Sequence, residues 1–273
     1  MKTGNMSRLH DILLNERSFD RLFCDVSSSD RFDIYYNTNF ADDPIFNHIV
    51  IADSVMAEGL DGDSISLLLY KIKSEASSKN ISPTVFVEKN WKFTSKLEER
   101  AIEGEFRILG MMEILSKKVA LESRAVSTGR ITVFETRDYN LWNETFMRSF
   151  SLGSEWKEEL LRREELFSNN TSTTLLLAME TNSTEPSGCT LLHRTPSNVL
   201  GIYCVGTVPE RRGRGVANSM LRTAEQFASS LECKLLTLQT VSSDGVTPMY
   251  LKYGFIIDSG RDLLQLNTGS REK

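Results

Sequence analysis

The chain has 273 residues, of which 40% are hydrophobic and 25% are charged, and its net charge at pH 7 is −5. This length and composition allow two domains with hydrophobic cores and exclude a disordered protein. The negative charge argues against a nucleic-acid-binding surface, and no apolar run reaches the ~18 residues of a membrane span, so we expect a cytoplasmic protein that binds neither nucleic acid nor membrane.

Cysteine and histidine residues are few and scattered. The chain has four cysteines, with no Cys-x-x-Cys pair, and three histidines. Zinc sites and disulfide frameworks depend on closely spaced residues of these types. We therefore expect no metal site and no disulfide framework.

The N-terminal half alternates helical and strand patterns. Its apolar spacing predicts a helix, a strand, a second helix and a second strand over 63–79, 83–88, 95–103 and 106–115. The segment 117–130 then mixes charge, serine and glycine without a sustained apolar period. We place a domain boundary there and predict two domains, 1–125 and 126–273.

The C-terminal half begins with β-branched alternation from Ile131. Helical spacing follows over 141–150 and over 154–167, where Ser154 is placed as an N-cap. Turn-forming residues then separate three β-rich runs, which we read as a meander of strands over 173–180, 188–195 and 199–208.

The period changes after Val208, where a continuous helical face runs from Ala217 to Leu231 and a strand follows over 234–240. This order predicts parallel strands joined by the helix.

The sequence "RRGRG", 211–215, lies where the first strand leads into the helix. Free N–H groups at a helix start attract anions, glycine allows close approach and arginine adds positive potential, so the turn predicts a pyrophosphate site. An ordinary solvent-exposed turn is the alternative.

Two common nucleotide motifs do not fit this turn. A P-loop needs Gly-Lys followed by Ser or Thr, and the segment 200–220 has no such sequence. A Rossmann turn needs a third glycine, and Asn218 stands at that position. Nucleoside triphosphates are therefore disfavoured, and a dinucleotide is a weaker alternative.

The hexapeptide from Arg212 to Ala217 closely resembles the acetyl-CoA loop of the GNAT family of N-acetyltransferases. A second family motif is a tyrosine five residues before the phenylalanine of a Gly-Phe pair, and Tyr250 with Gly254 and Phe255 reproduces it. The resemblance covers roughly 130–267. It implies an α/β (α+β) acyl-CoA N-acyltransferase fold, with a mixed central sheet and flanking helices.

The resemblance also implies acetyl-CoA as cosubstrate and assigns residues to it. In this family a main-chain N–H of the strand before the loop, here that of Val205, stabilises the negative oxygen formed when an amine attacks the thioester. Tyr250 is the candidate general acid for the leaving thiolate, since a tyrosine pKa of ~10 is near the ~8.5 of a thiol. The residues expected to contact acetyl-CoA are Val205, Thr207, Arg212, Gly213, Arg214, Gly215, Val216, Ala217 and Asn218.

The sequence leaves the general base open. Many relatives carry a glutamate early in the strand before the loop, where this chain has Gly201. Tyr203, Glu135, Glu155 or a chain of waters are alternatives. His193 is expected to be a surface residue of its strand and receives no role.

The N-terminal half repeats the element order of 215–267, which suggests a tandem of two GNAT-like domains. Acidic residues, Glu58, Asp61 and Asp63, precede its long helix where the other half has arginines. Acids there repel a pyrophosphate, and Ala101 stands at the position of the tyrosine. We therefore predict a divergent, non-catalytic copy, with an unrelated α/β domain as the alternative.

Together these features predict an N-acetyltransferase that transfers acetyl from acetyl-CoA to a primary amine by direct attack in a ternary complex. The acceptor is a small molecule or a protein amine, and the protein is a monomer or a homodimer. A catalytically silent acyl-CoA-binding or regulatory protein is the alternative. A protein that binds a different pyrophosphate-containing nucleotide is a third hypothesis.

Overall fold

The computed structural model describes residues 3–52, 55, 60–89, 94–119 and 130–267. It has a mixed α/β architecture, as the sequence predicts. The helices are α1 (Thr3–Asp20), α2 (Gly62–Lys79), α3 (Thr94–Glu103), α4 (Tyr139–Phe150), α5 (Glu155–Ser168), α6 (Val216–Ser230) and α7 (Thr247–Lys252). The strands are β1 (Asp25–Ser28), β2 (Phe32–Tyr36), β3 (His48–Ile51), β4 (Thr84–Glu88), β5 (Phe106–Lys118), β6 (Ile131–Thr136), β7 (Thr173–Glu180), β8 (Gly188–Arg194), β9 (Val199–Thr207), β10 (Leu235–Val241) and β11 (Ile256–Leu266). Within the described residues, no helix is long and apolar enough to cross a membrane.

The predicted helices and strands are present, and differ from the observed ones mainly at their ends. Ser154 stands at the N-cap of α5 as predicted, but its side chain makes no capping hydrogen bond. The sequence patterns did not predict α1, β1, β2 and β3. The predicted domain boundary at 125/126 lies outside the described residues and stays a prediction.

The chain forms two compact units, and neither is a continuous stretch of sequence. The first unit comprises Met1–Leu22, Leu115–Leu238 and Tyr250–Ile256. The second comprises Phe23–Ile114, Gln239–Met249 and Ile257–Lys273. Helix α1 therefore belongs to the unit that contains the predicted acetyl-CoA loop, whereas most of β11 belongs to the other unit.

In the second unit, β1, β2 and β3 are antiparallel neighbours, and β3 then pairs in parallel with β4. Helix α2 lies between β3 and β4 in the chain, and β11 pairs with β4 in antiparallel orientation. Buried aliphatic side chains from α2, α3 and the strands form one core, which includes Ile34, Ile49, Leu68, Val87, Leu97 and Leu264. Burial of this apolar surface is the main stabilisation of the unit.

The first unit has an antiparallel meander of β6, β7, β8 and β9, as predicted. Strand β10 pairs in parallel with β9, which confirms the predicted strand–helix–strand arrangement through α6. A Cβ added at Gly206 would lie 2.6 Å from Ser149 Cβ of α4, and one at Gly188 would lie 2.8 Å from Val216 Cγ1 of α6. Gly206 pairs with Cys189, the neighbour of Gly188, so the two glycines face opposite sides. Helices α4 and α6 therefore cover opposite faces of the sheet.

Helix α1 is fastened to β8 and β9 through buried polar and aromatic contacts. The Asn15 amide donates to the carbonyl oxygens of His193, at 3.0 Å, and Val199, at 3.3 Å. The Tyr203 hydroxyl donates to Asn15 Oδ1 at 2.8 Å, and its ring stacks on Phe19 with centroids 3.6 Å apart. Because Asn15 is fully buried, these bonds are made away from water and hold the helix in one register.

Gly201 lies next to the contact between Asn15 and Tyr203. A Cβ at Gly201 would come closer than 3.0 Å to Asn15 Oδ1 and to the Tyr203 ring. Any larger side chain at this position must displace groups that are already hydrogen-bonded or stacked. Glycine is therefore required here by the close approach of α1.

We expect Gly201→Ala to lower the free energy of unfolding by about 1–3 kcal/mol, the usual cost of overpacking a core. Urea unfolding of the purified chain measures the effect. Gly153→Ala is the matched control, because the atoms nearest to a Cβ there belong to the side chain of Glu155, which is exposed. Equal stability of both variants would contradict the inferred crowding at Gly201.

Candidate functional site

Strand β9 contains a bulge in front of the glycine-rich loop. Leu191 of β8 pairs with Tyr203, but Cys189 pairs with Gly206, so β9 has one residue more than its partner in this interval. Cys204 has a φ of 55°, in the left-handed region that non-glycine residues rarely adopt. A bulge of this kind re-aims the main chain and often lies beside a functional site.

On the opposite edge of β9, the ladder with β10 ends shortly before the bulge. Among the described residues, the parallel ladder joins only Val199–Gly201 to Leu235–Thr237. The residues of β9 after Gly201 therefore have main-chain groups on this side that are not used by the sheet. These groups are the ones that an extended ligand can bind.

Val205 and Thr207 lie on this part of β9. The Val205 side chain packs against a cluster that includes Val216 and Met220 of α6. Thr207 pairs with Gly188 on the other side, and the loop 208–215 begins directly after it. The predicted contacts of both residues are main-chain contacts, and this part of β9 lies beyond its ladder with β10.

The loop before α6 has the backbone conformation that an anion site requires. Gly213 and Gly215 have φ values of 76° and 88°, and a Cβ at either glycine would meet nothing within 4 Å. Gly215 is the N-cap of α6 and has no side chain to cap the helix. In the described part of the chain, no acceptor is present for the N–H groups of Val216, Ala217 and Asn218. These residues thus fit a pyrophosphate, which accepts such N–H groups.

The three loop arginines make contacts within the protein. Arg212 donates from Nε to Thr207 O at 3.2 Å and from Nη2 to Ser149 O, near the end of α4, at 3.0 Å. Arg211 and Arg214 both donate to Glu180 Oε2, at 3.0 and 3.4 Å. The expected positive potential is therefore reduced by Glu180, a residue at the end of β7 whose sequence position gave no sign of this contact.

Tyr250 lies on α7 and is buried, with 7% of its surface exposed. Its ring meets that of Phe255 edge-on, with centroids 6.0 Å apart. Its carbonyl oxygen accepts from the N–H groups of Tyr253 and Phe255 at 3.0 and 3.1 Å. The Tyr-x-x-x-Gly-Phe spacing is thus a helix end that packs the phenylalanine on the tyrosine; the acid role of Tyr250 stays a prediction.

The candidates for the general base lie in different surroundings. A carboxylate at position 201 is excluded by Asn15, and the Tyr203 hydroxyl is held by the same residue. Glu135 is exposed on β6, and Glu155 is exposed at the start of α5. None of these contacts assigns a base.

His193 is buried, so the expectation of a surface residue is wrong. Only 2% of its surface is exposed, because α1 covers β8 at this point. Its Nε2 lies 2.9 Å from Ser18 Oγ, and its Nδ1 lies 3.2 Å from Thr173 Oγ1. Burial lowers the pKa of His193 to about 4, against a smaller opposing effect of Asp20. The imidazole is therefore neutral and structural.

The chain is similar to known acetyltransferases in sequence and in fold. Residues 139–255 match the model of the Acetyltransferase (GNAT) family. A GCN5-related N-acetyltransferase from Kribbella flavida has a similar fold, with a TM-score of 0.67, 12% identity and coverage of 95% of each chain. One from Sphaerobacter thermophilus has a TM-score of 0.67 and 15% identity, over 86% of this chain and 75% of that one.

A third similar structure is a tandem GNAT protein from the clavulanic acid biosynthesis pathway. Its TM-score is 0.60 at 10% identity, over 86% of this chain and 77% of that one. At these identities the similarity concerns the fold, and it extends over most of the chain. The predicted fold, with its tandem arrangement, is confirmed. No curated protein sequence matches the chain.

The buried histidine gives stability a pH dependence. Because the folded-state pKa of His193, about 4, is below the ordinary 6.5, the unfolded chain binds a proton first as pH falls. We expect the free energy of unfolding to decrease by about 1 kcal/mol more between pH 7.5 and 5.5 in the wild type than in His193→Gln. Urea titrations at each pH test this, with exposed His10→Gln as control. A wild-type profile parallel to that of His193→Gln would refute it.

Proposed function

We propose that this chain, whose residues 139–255 belong to the GNAT family of acetyltransferases, transfers acetyl from acetyl-CoA to a primary amine. The observation that carries the proposal is the open N-terminus of α6, with two left-handed glycines and no capping side chain, after the part of β9 that lies beyond its ladder with β10. The pyrophosphate would bind the N–H groups from Gly213 to Asn218. The pantetheine arm would follow Val205 and Thr207.

The chemistry follows from these positions. The acceptor nitrogen attacks the thioester carbonyl carbon, so a C–N bond forms, negative charge builds on the oxygen and the C–S bond then breaks. The N–H of Val205, fixed by the strand and its bulge, stabilises that oxygen without having to reorient. Tyr250 returns a proton to the departing thiolate. The amine proton passes to water or to a base that is not assigned.

Among its described residues, the second unit has no equivalent anion site. Helix α2 begins at Gly62 with Asp61 as its N-cap, and the Asp61 carboxylate accepts from Ser64 N at 2.8 Å. Hydrogen bonds from Ser64 lower the pKa of Asp61, so the helix start carries a fixed negative charge. Ala101, at the tyrosine position, is fully buried, and Glu58 lies outside the described residues. We propose that the chain binds one acetyl-CoA, in the first unit.

A catalytically silent acyl-CoA-binding protein is the second candidate. The crowding at Gly201 favours it, because the carboxylate that many relatives use as a base has no space there. An acetyl-transfer assay over polyamines, amino acids, aminoglycosides and peptides separates the two functions and also reports the acceptor. Competition between CoA, NAD and ATP tests the third hypothesis, a different pyrophosphate ligand.

We expect Gly215→Asp to abolish CoA binding in a folded protein, because a carboxylate would enter the space in front of α6. Calorimetric titration with CoA measures the effect. Gly245→Asp is the control for backbone strain, since Gly245 also has a positive φ, of 67°, and open space around it. Unchanged CoA affinity in Gly215→Asp would end the assignment of this loop.

Tyr250→Phe separates acid catalysis from packing. The ring and its contact with Phe255 remain, but the proton donor is lost, so we expect kcat to fall by ~10² to 10⁴ with the affinity for acetyl-CoA and the Tm nearly constant. Single-turnover kinetics with excess acceptor avoid masking by slow product release. Tyr253→Phe is the matched control. A kcat within about threefold of wild type would refute the acid role.

A further inference from the structure

Glu180 shares one carboxylate oxygen between two arginines of the loop. Its Oε2 lies 3.0 Å from Arg211 Nη1 and 3.4 Å from Arg214 Nη1. The side chain of Glu180 is 16% exposed, whereas those of Arg211 and Arg214 are 36% and 53% exposed. These two ion pairs thus lie at the protein surface, where solvent screens the charge of Glu180 only partly.

Hydrogen bonds that do not involve Glu180 hold the first part of the loop. Val208 N donates to Ser187 O at 3.0 Å, and Arg211 N donates to Val208 O at 2.8 Å. Arg212 fixes the next part through its bonds to Thr207 O and Ser149 O. These bonds fix residues 208–212 without Glu180, whose contacts with the loop are with arginine side chains.

The other Glu180 oxygen, Oε1, is buried and has no hydrogen-bond partner among the described residues. A carboxylate in this state is incompletely compensated, and its charge acts on any anion that approaches the loop. Arginine and phosphate form strong charge-assisted hydrogen bonds. The phosphates of a ligand would therefore compete with Glu180 for the guanidinium groups of Arg211 and Arg214.

We propose that Glu180 is an internal competitor for the phosphates of the bound CoA, and that it tunes CoA affinity so that the product leaves the site. The inference rests on the proposed function. In the free protein Glu180 holds Arg211 and Arg214, and each phosphate contact with them requires the loss or sharing of an existing ion pair. Binding is thereby weaker than it would be with Arg211 and Arg214 unengaged, and CoA dissociates faster.

Glu180→Gln tests this assignment, because it keeps the shape and one acceptor oxygen but removes the charge. We expect CoA to bind about threefold to tenfold more tightly at low salt, mainly through slower dissociation, and the difference to shrink at high salt. Calorimetry and stopped-flow displacement measure both quantities. Glu185→Gln is the matched control: it removes the same charge, but Glu185 pairs with Arg148 at 2.8 Å and its side chain is 66% exposed.

The outcomes are distinguishable. Equal or weaker CoA binding by Glu180→Gln with an unchanged Tm overturns the inference and leaves the proposed function intact. An equal gain in Glu185→Gln also overturns it, because the effect would then be one of net charge. If neither the wild type nor any variant binds CoA, the proposed function fails and this inference fails with it.

Discussion

The left-handed backbone of Cys204, inside β9, is the constraint on which the candidate site depends. It adds one residue between the pairs Leu191–Tyr203 and Cys189–Gly206, and so changes the direction of the strand beside Val205. The ladder of β9 with β10 ends at Gly201, shortly before this bulge, and does not use the main-chain groups of β9 beyond that residue. The bulge costs conformational energy, and the surrounding packing of α4, α6 and α1 on β9 holds it in place.

The two units differ most clearly at the start of their equivalent helices. Each unit joins two parallel strands through a long helix, β9–α6–β10 in one and β3–α2–β4 in the other. A glycine caps α6 and leaves the N–H groups free, whereas Asp61 caps α2 and satisfies one of them. One position therefore decides whether the positive end of the helix is available to an anion or is neutralised by the protein.

The sequence was sufficient for the parts of the molecule with strong local patterns. The amphipathic spacing of α6, the meander and the two motifs at Arg212 and Tyr250 predicted the fold of residues 130–267. The sequence was not sufficient where contacts between distant parts of the chain determine the surroundings of a residue. The burial of His193 and the crowding at Gly201 depend on α1, which lies more than 170 residues away in the chain, as in the contact of Ser18 with His193. Glu180 ends an ordinary strand pattern, and only the folded structure brings it to the loop arginines.

The division of the chain between the units has a consequence for synthesis on the ribosome. The second unit contains β4 early in the sequence but needs β11 to complete its sheet, as the bond between Ser259 and Glu88, 171 residues apart, shows. One edge of β4 in the segment Phe23–Ile114 therefore lacks its partner strand until β11 has been translated. Contacts of such high sequence separation slow folding, and an exposed strand edge can pair with another chain in the interval. The nascent protein is thus expected to depend on chaperones more than two independent domains of the same size would.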